Sequence, residues 1–189
     1  EEVLGPGTLE ALDRAKGLPA TPSNLERVAR EFGIQAARGA FEQWDLRMRA
    51  RAKFERAETM LFDRDGLEMA SHERVAAFHA ERLAAEGRAA DLTVGIGADL
   101  IALARRGQAV GYEVDCVRAA MARHNLEVYG LEADIRVEDA MEAEWDFDFA
   151  FADPSRRGQG RRLSDPEFYQ PNPGRLAARL KTLQRGLMK

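Results

Sequence analysis

A single cysteine, Cys116, is all the chain has, so no disulfide can close within it and a reducing, cytoplasmic setting is expected. Long apolar runs are missing too. Nothing approaches the ~20 apolar residues a membrane helix needs. The opening Glu-Glu-Val-Leu-Gly-Pro-Gly has neither the basic cluster nor the apolar stretch of a signal peptide. No membrane partner is expected. Positive charge is not in excess, since 28 Lys and Arg against 32 Asp and Glu leave a net charge of −4. Such a chain is not a general coat for nucleic acid, and any such contact must come from a local basic patch. His72, His79, His124 and Cys116 do not fall into a metal-ligand spacing, so no metal is expected, and His72 and His79 read as surface residues. What is present fits a globular protein: 45% hydrophobic and 32% charged residues over 189 positions, enough for one full core and a small appendage.

Residues 8–60 read as helical. Thr8 can cap a helix to Lys16, and Ser23 with Glu26 has capping-box spacing for a second that Gly33 ends. A long helical pattern then runs from Ile34 to about Phe62, and its apolar positions change sides. Ala37, Phe41, Trp44 and Met48 share one face, whereas Leu46, Ala50, Phe54, Ala57 and Leu61 lie opposite. Such a segment is sandwiched, its first half on the N-terminal helices and its second half on the next domain; a break near Arg49 would do the same. Arg47, Arg49, Arg51, Lys53 and Arg56 read as a solvated face, with a nucleic-acid-facing stripe as the rival. Asp63-Arg-Asp-Gly66 reads as a turn, and Ser71 as the cap of a helix from His72 to about Glu86.

From residue 89 strand and helix alternate: strand 89–94, helix 99–106, strand 110–114, helix 117–129, strand 134–137, strand 146–152. Alternation of this kind predicts a parallel sheet with helices on its faces. Phe147, Phe149 and Phe151 fall on one side of the last strand. A helix over about 174–184 follows a proline-containing loop, and Gly186-Leu-Met-Lys189 reads as the start of another strand. The expected fold is α/β, a Rossmann-like parallel sheet that is C-terminally incomplete. Residues 1–60 form a helical N-terminal subdomain and residues 61–189 the cofactor-binding domain of a longer protein.

Four features sit at strand tips. Asp91-Leu-Thr-Val-Gly95-Ile-Gly97 runs from a strand through a glycine turn into a helix, which puts bare backbone amides beside a ligand. Glu113, at the tip of the next strand, suits a ribose diol, because an ionised carboxylate only accepts hydrogen bonds. The full dinucleotide fingerprint is absent, with Leu100 where its last glycine would stand, so a nicotinamide or flavin cofactor is disfavoured relative to S-adenosylmethionine (SAM). Asp139 follows the third strand, where it can accept from the amine of adenine or cap a helix. Asp153 and Pro154 follow the fourth strand, where a carboxylate or carbonyls can hold a nucleophilic amine in line with a methyl group. Arg156, Arg157, Arg161 and Arg162 come at once after them, as a phosphate contact or a charged loop.

These residues, with Ala-Ser-His-Glu-Arg-Val-Ala at 70–76 and Ala-Arg-His-Asn-Leu-Glu-Val-Tyr-Gly at 122–130, resemble the class I SAM-dependent methyltransferases of the trimethylguanosine-synthase type. They also resemble bacterial relatives with a THUMP-like domain, which share an Asp-Pro-x-Arg-Arg motif like that at 153–157. The likeness covers roughly residues 60–158. It implies a SAM site built around Ser71, Asp91, Gly95, Gly97, Glu113 and Asp139, with Asp153 and Pro154 at the point of methyl transfer. Thr93 departs from the pattern where many methyltransferases carry the first glycine of the loop. Ser155 and Arg156 replace a proline and an aromatic that stacks on a methylated guanine. An arginine does not suit a cationic base, which argues against an mRNA-type cap. Cys116 stands in the wrong place for the nucleophile of the RNA uridine methyltransferases. The expected function is SAM-dependent methylation of a base amine in RNA. The rivals are a small-molecule methyltransferase on the same fold and a non-catalytic RNA-binding module.

Overall fold

Thr21 and Pro22, next to each other, decide where the second helix starts. A threonine side chain accepts from the amide of Asn24, and a proline at the first helical position needs no hydrogen-bond acceptor. The cap is therefore Thr21 and not Ser23. The computed structural model describes residues 7–83, 86–155, 157–158 and 161–189, with only the backbone of 157, 158, 161 and 162. In it the N-terminal helices are α1 (Thr8–Ala15), α2 (Pro22–Phe32) and α3 (Ile34–Ala50). They share a small core of Ala11, Leu12, Val28, Ala37, Ala40 and Phe41. Helix α3 stops at Ala50, where the expected break falls, and residues 51–59 continue as turns. The change of faces is real. Ala37, Phe41 and Trp44 pack in the N-terminal core, whereas Leu46, Ala50, Phe54, Ala57 and Leu61 join the core of the sheet. Met48 is the exception, at 54% exposure.

The basic residues of this stretch do not form one solvated face. Arg47 is buried and donates to the carbonyl of Met60. Lys53 donates to the carbonyls of Leu67, Glu68 and Ala70, at the C-terminal end of α4 (Arg64–Met69). Arg56 donates to the Val128 carbonyl and lies over the Tyr129 ring. Arg49 and Arg51 are exposed. The Asp63–Gly66 turn is the first turn of α4. Asp63 caps it by accepting from the Gly66 amide, and its other oxygen accepts twice from Arg118. Helix α5 runs Glu73–Leu83, and the amide of Arg74 donates to the His72 ring, so His72 takes the capping work expected of Ser71.

The sheet carries strands β1 (Ala89–Asp91), β2 (Ala109–Tyr112), β3 (Asp134–Arg136) and β4 (Phe149–Ala152). After β4 comes an antiparallel pair, β5 (Arg157–Gly158) and β6 (Arg161–Arg162), and the sheet resumes with β7 (Arg185–Met188). Its order is β3-β2-β1-β4-β7, all parallel. Helices α6 (Ala98–Ala104), α7 (Cys116–Val128) and α8 (Pro173–Leu180) make the crossovers. One face of the sheet is covered by α5, α6, α7 and residues 54–62, over Phe149, Phe151 and Ile135. The other carries Ala90, Val110, Tyr112, Ala150 and Ala152 beneath α8 and the turn after residue 139. Phe147 lies before β4 begins. It packs on this second face with Tyr112 and Trp145, so the three phenylalanines do not share a side.

Candidate active site

Strand order reverses between β1 and β4, because β2 and β3 lie on one side of β1 and β4 and β7 on the other. Open parallel sheets bind ligands at the carboxyl ends of the strands at such a switch point. Asp91, Thr93, Gly95, Glu113, Asp153 and Ser71 lie at this edge, held by two separate sets of hydrogen bonds, one through Asp91, Thr93 and Asp153 and one through Gly95 and Glu113, with Ser71 joined to the first by Lys189. Asp91 Oδ1 accepts from the Thr93 amide at 3.0 Å. The Thr93 hydroxyl accepts from the Asp153 amide at 2.8 Å. Across the other gap, Glu113 Oε2 accepts from the Gly95 amide at 2.7 Å and Oε1 from the Asp115 amide at 2.9 Å. The departure at Thr93 thus has a local purpose, since its hydroxyl ties the tip of β1 to the tip of β4.

The two glycines of the loop do different work. Gly95 has φ +55° and a bare Cα over open space, so backbone can approach a ligand there. At Gly97, with φ +94°, an added Cβ would stand 3.2 Å from the Ala122 Cβ. That glycine lets the loop pack against α7. Pro154 is buried behind Asp153. Asp139 lies beyond β3 on the same edge. It is exposed, and its Oδ1 accepts from the Met141 amide, which fits the capping alternative for that oxygen. Arg156 lies outside the described residues. Arg157, Arg161 and Arg162 are placed by backbone alone, in the β5–β6 pair that follows Asp153-Pro154.

The edge is strongly acidic. Asp91 is 1% exposed, and its Oδ2 has no hydrogen-bond partner among the described residues. Burial pushes its carboxyl well above the ordinary range, Asp99, Glu113 and Asp153 push it further, and the Thr93 amide pulls the other way. Asp99, in the first turn of α6, is buried and pairs with His79 Nδ1 at 2.7 Å. The His79 ring stacks on Phe151 with centroids 4.8 Å apart. His79 therefore points inward, contrary to the surface position expected of it. Among the described residues no group of three or more His, Cys, Asp and Glu could hold a metal ion. No described helix is long and apolar enough to cross a membrane.

No family model matches the chain. A candidate methyltransferase of known structure from Porphyromonas gingivalis W83 superposes with a TM-score of 0.71 at 22% identity, over 93% of this chain and 45% of that one. The fold is that of the class I methyltransferases. Two curated proteins of Mycobacterium tuberculosis, from strains CDC 1551 / Oshkosh and ATCC 25618 / H37Rv, are each 35% identical over 171 residues. Both are named uncharacterized S-adenosylmethionine-dependent methyltransferases, and the match takes in 89% of this chain and 43% of theirs. The chain thus spans less than half the length of the curated relatives it matches.

On this methyltransferase fold, several candidate site residues escape a reading of the sequence. Val114, Val117 and Val137 are 70%, 46% and 47% exposed. Glu113 N donates to Arg136 O, which continues the β2–β3 register and sets Val137 beside Glu113 at the tips of the two strands. Exposed apolar side chains just after a strand-tip carboxylate were the available signal. Lys189, at the tip of β7, reaches Asp153 Oδ2 at 2.7 Å. Nothing local to Lys189 marks it, because Asp153 is 36 residues away.

Proposed function

We propose that the protein is a SAM-dependent methyltransferase acting on a base amine in RNA. The carrying observation is the buried, unpartnered Asp91 oxygen at the switch point, within reach of the charges of Asp99, Glu113 and Asp153. A carboxyl held there at such cost is suited to a cationic ligand. SAM carries an ammonium and a sulfonium, a ribose diol and a flat base, and the residues fit each. Asp91 answers the positive charge. Glu113 keeps lone pairs beyond the two amides it accepts from, enough for a diol. The exposed valines supply an apolar seat for a ring. Ser71 and Asp139 complete the set of candidate cofactor residues, with Gly95 and Gly97 shaping the loop.

When bound, the cofactor supplies an electrophilic methyl group. The protein's own work is to hold the acceptor in line. The Asp153 amide is fixed by Thr93 Oγ1 and Pro154 restricts the backbone beyond it, so the Asp153 carboxylate is available to accept from an amine. Positioning of this kind supplies much of the rate in a reaction with little proton chemistry. The RNA part of the reading rests on four arginines within seven residues, beginning two residues after Pro154.

Two measurements on the full-length protein test the proposal. Glu113→Ala should weaken SAM binding by about 1.5–3 kcal/mol, the worth of charge-assisted bonds, read by calorimetry; unchanged affinity puts the cofactor elsewhere. Replacing Arg161 and Arg162 by alanine should weaken RNA binding for every sequence and lower its salt slope by about one unit per lost contact. An unchanged slope would favour a small-molecule acceptor.

A further inference from the structure

We infer that Lys189 is a positioning residue for methyl transfer, one that orients the Asp153 carboxylate toward the acceptor; this rests on the methyltransferase reading above. The sheet register brings the two together. Ala152 pairs with Met188, and the Lys189 amide donates to the Ala152 carbonyl, so Asp153 and Lys189 leave neighbouring strand tips side by side. The Lys189 ammonium then lies 2.7 Å from Asp153 Oδ2 and 3.2 Å from Ser71 Oγ. Ser71 is 5% exposed, so a buried side chain, delivered by the segment between α4 and α5, gives the ammonium a second partner. Three elements distant in sequence meet at one ammonium.

Each contact removes a freedom that matters for geometry. Thr93 Oγ1 fixes the Asp153 amide, and the Lys189 bond fixes its carboxylate. An ammonium–carboxylate hydrogen bond is among the stronger ones available for this. Without it the carboxylate can turn about its side-chain torsions among the neighbouring acids. The cation also offsets the crowding of Asp153 with Asp91 and Glu113, whose charges oppose one another. Lys53, a lysine near enough to feel Lys189, is committed to three carbonyls at the end of α4. It does not compete for Asp153. An ordinary surface ion pair would have none of this company. It would stabilise the fold slightly and leave the reaction untouched.

The test uses the full-length protein with Lys189→Met, and Lys189→Gln as a second variant should the first not fold. Lys189→Arg is the conservative rescue. SAM and S-adenosylhomocysteine are titrated calorimetrically. Turnover is followed as transfer of a tritium-labelled methyl group from SAM to two fractions of cells lacking the gene, RNA and small metabolites. Loss of the cation should lower kcat by about 100-fold, as a misplaced positioning group does. SAM affinity and acceptor KM should stay within about threefold, and Tm should fall by no more than about 3 °C. Arginine should restore much of the rate. An unchanged kcat overturns the inference. So does a loss of SAM affinity in step with kcat, which would make Lys189 a cofactor ligand, or equal rates for Arg and Met. If the wild-type protein binds SAM yet labels neither fraction, the methyltransferase reading itself falls and takes this inference with it. If the wild type labels one fraction and the Met variant labels it equally well, only the inference about Lys189 falls.

Discussion

Replacing Asn125 by alanine should be among the most damaging single changes in the molecule. Asn125 sits on α7 with no exposed surface. Its Oδ1 accepts from the Leu61 amide at 2.8 Å, and its Nδ2 donates to the Leu61 carbonyl at 3.0 Å and the Ile96 carbonyl at 2.9 Å. Leu61 and Ile96 are buried at 3% and 2% exposure, so water is poorly placed to replace the lost amide. Alanine strands three buried backbone groups, each costing about 1–3 kcal/mol. Taking the lower end for each gives a loss of about 3–4 kcal/mol, a large part of the ~5–15 kcal/mol that holds an ordinary domain together. Urea unfolding of the full-length protein measures it. With a slope near ~2 kcal/mol per molar, the midpoint should fall by roughly 1.5–2 M at constant slope. Asn125→Asp should be at least as harmful, because it turns an acceptor toward two carbonyls. A midpoint shift below about 0.5 M for the alanine variant, at unchanged slope, would refute the reasoning.

The buried acid gives a prediction with a definite sign. The raised Asp91 carboxyl stays protonated in the folded protein at pH values where the unfolded chain has already ionised, so its burial costs stability as pH rises from the unfolded value toward the folded one. Asp91→Asn should flatten that part of the stability profile measured by denaturant midpoint against pH; an unchanged profile counts against it. A cationic cofactor should drive the proton off the same carboxyl, so the SAM binding enthalpy of the wild-type protein should vary with the ionisation enthalpy of the buffer, and Asp91→Asn should remove the variation.

Local chemistry explains which features could be read in advance. The loop from Asp91 to Gly97 and the carboxylate at Glu113 were legible because each belongs to one strand–turn–helix unit whose spacing is carried in consecutive residues. The parallel sheet was legible for the same reason, down to the strand at β7, whose residues alone suggested its start. Choices between near neighbours were not. Thr21 and Ser23 both have the chemistry of a cap, and only Pro22 at the first helical position separates them. Charges misled where their partners are remote. Arg47, Lys53 and Arg56 find carbonyls 12 to 72 residues away in sequence, and no helical wheel records that. His79 faces inward because Asp99 lies 20 residues on, across a helix–helix contact. Lys189 and Ser71 meet over 118 residues, a pairing only the assembled sheet edge can make.

The same distant pairings bind the N-terminal helices to the site. Residues 60–62 belong to neither helix nor strand, and side chains satisfy the polar groups of their backbone. Arg47 on α3 supplies a donor to the Met60 carbonyl at 2.9 Å. Gln43 on α3 gives and receives with Phe62, at 2.6 Å and 3.2 Å. Asn125 on α7 does the same for Leu61. A strap held by two helices in this way cannot shift without stranding groups on α3 or α7. Through the third bond of Asn125 the strap is also tied to Ile96, the residue between the two glycines of the candidate cofactor loop. The loop can afford the left-handed turn at Gly95 and its open Cα because the carbonyl of the next residue is anchored to α7. Rigidity at the candidate site thus comes partly from helices that lie outside the sheet.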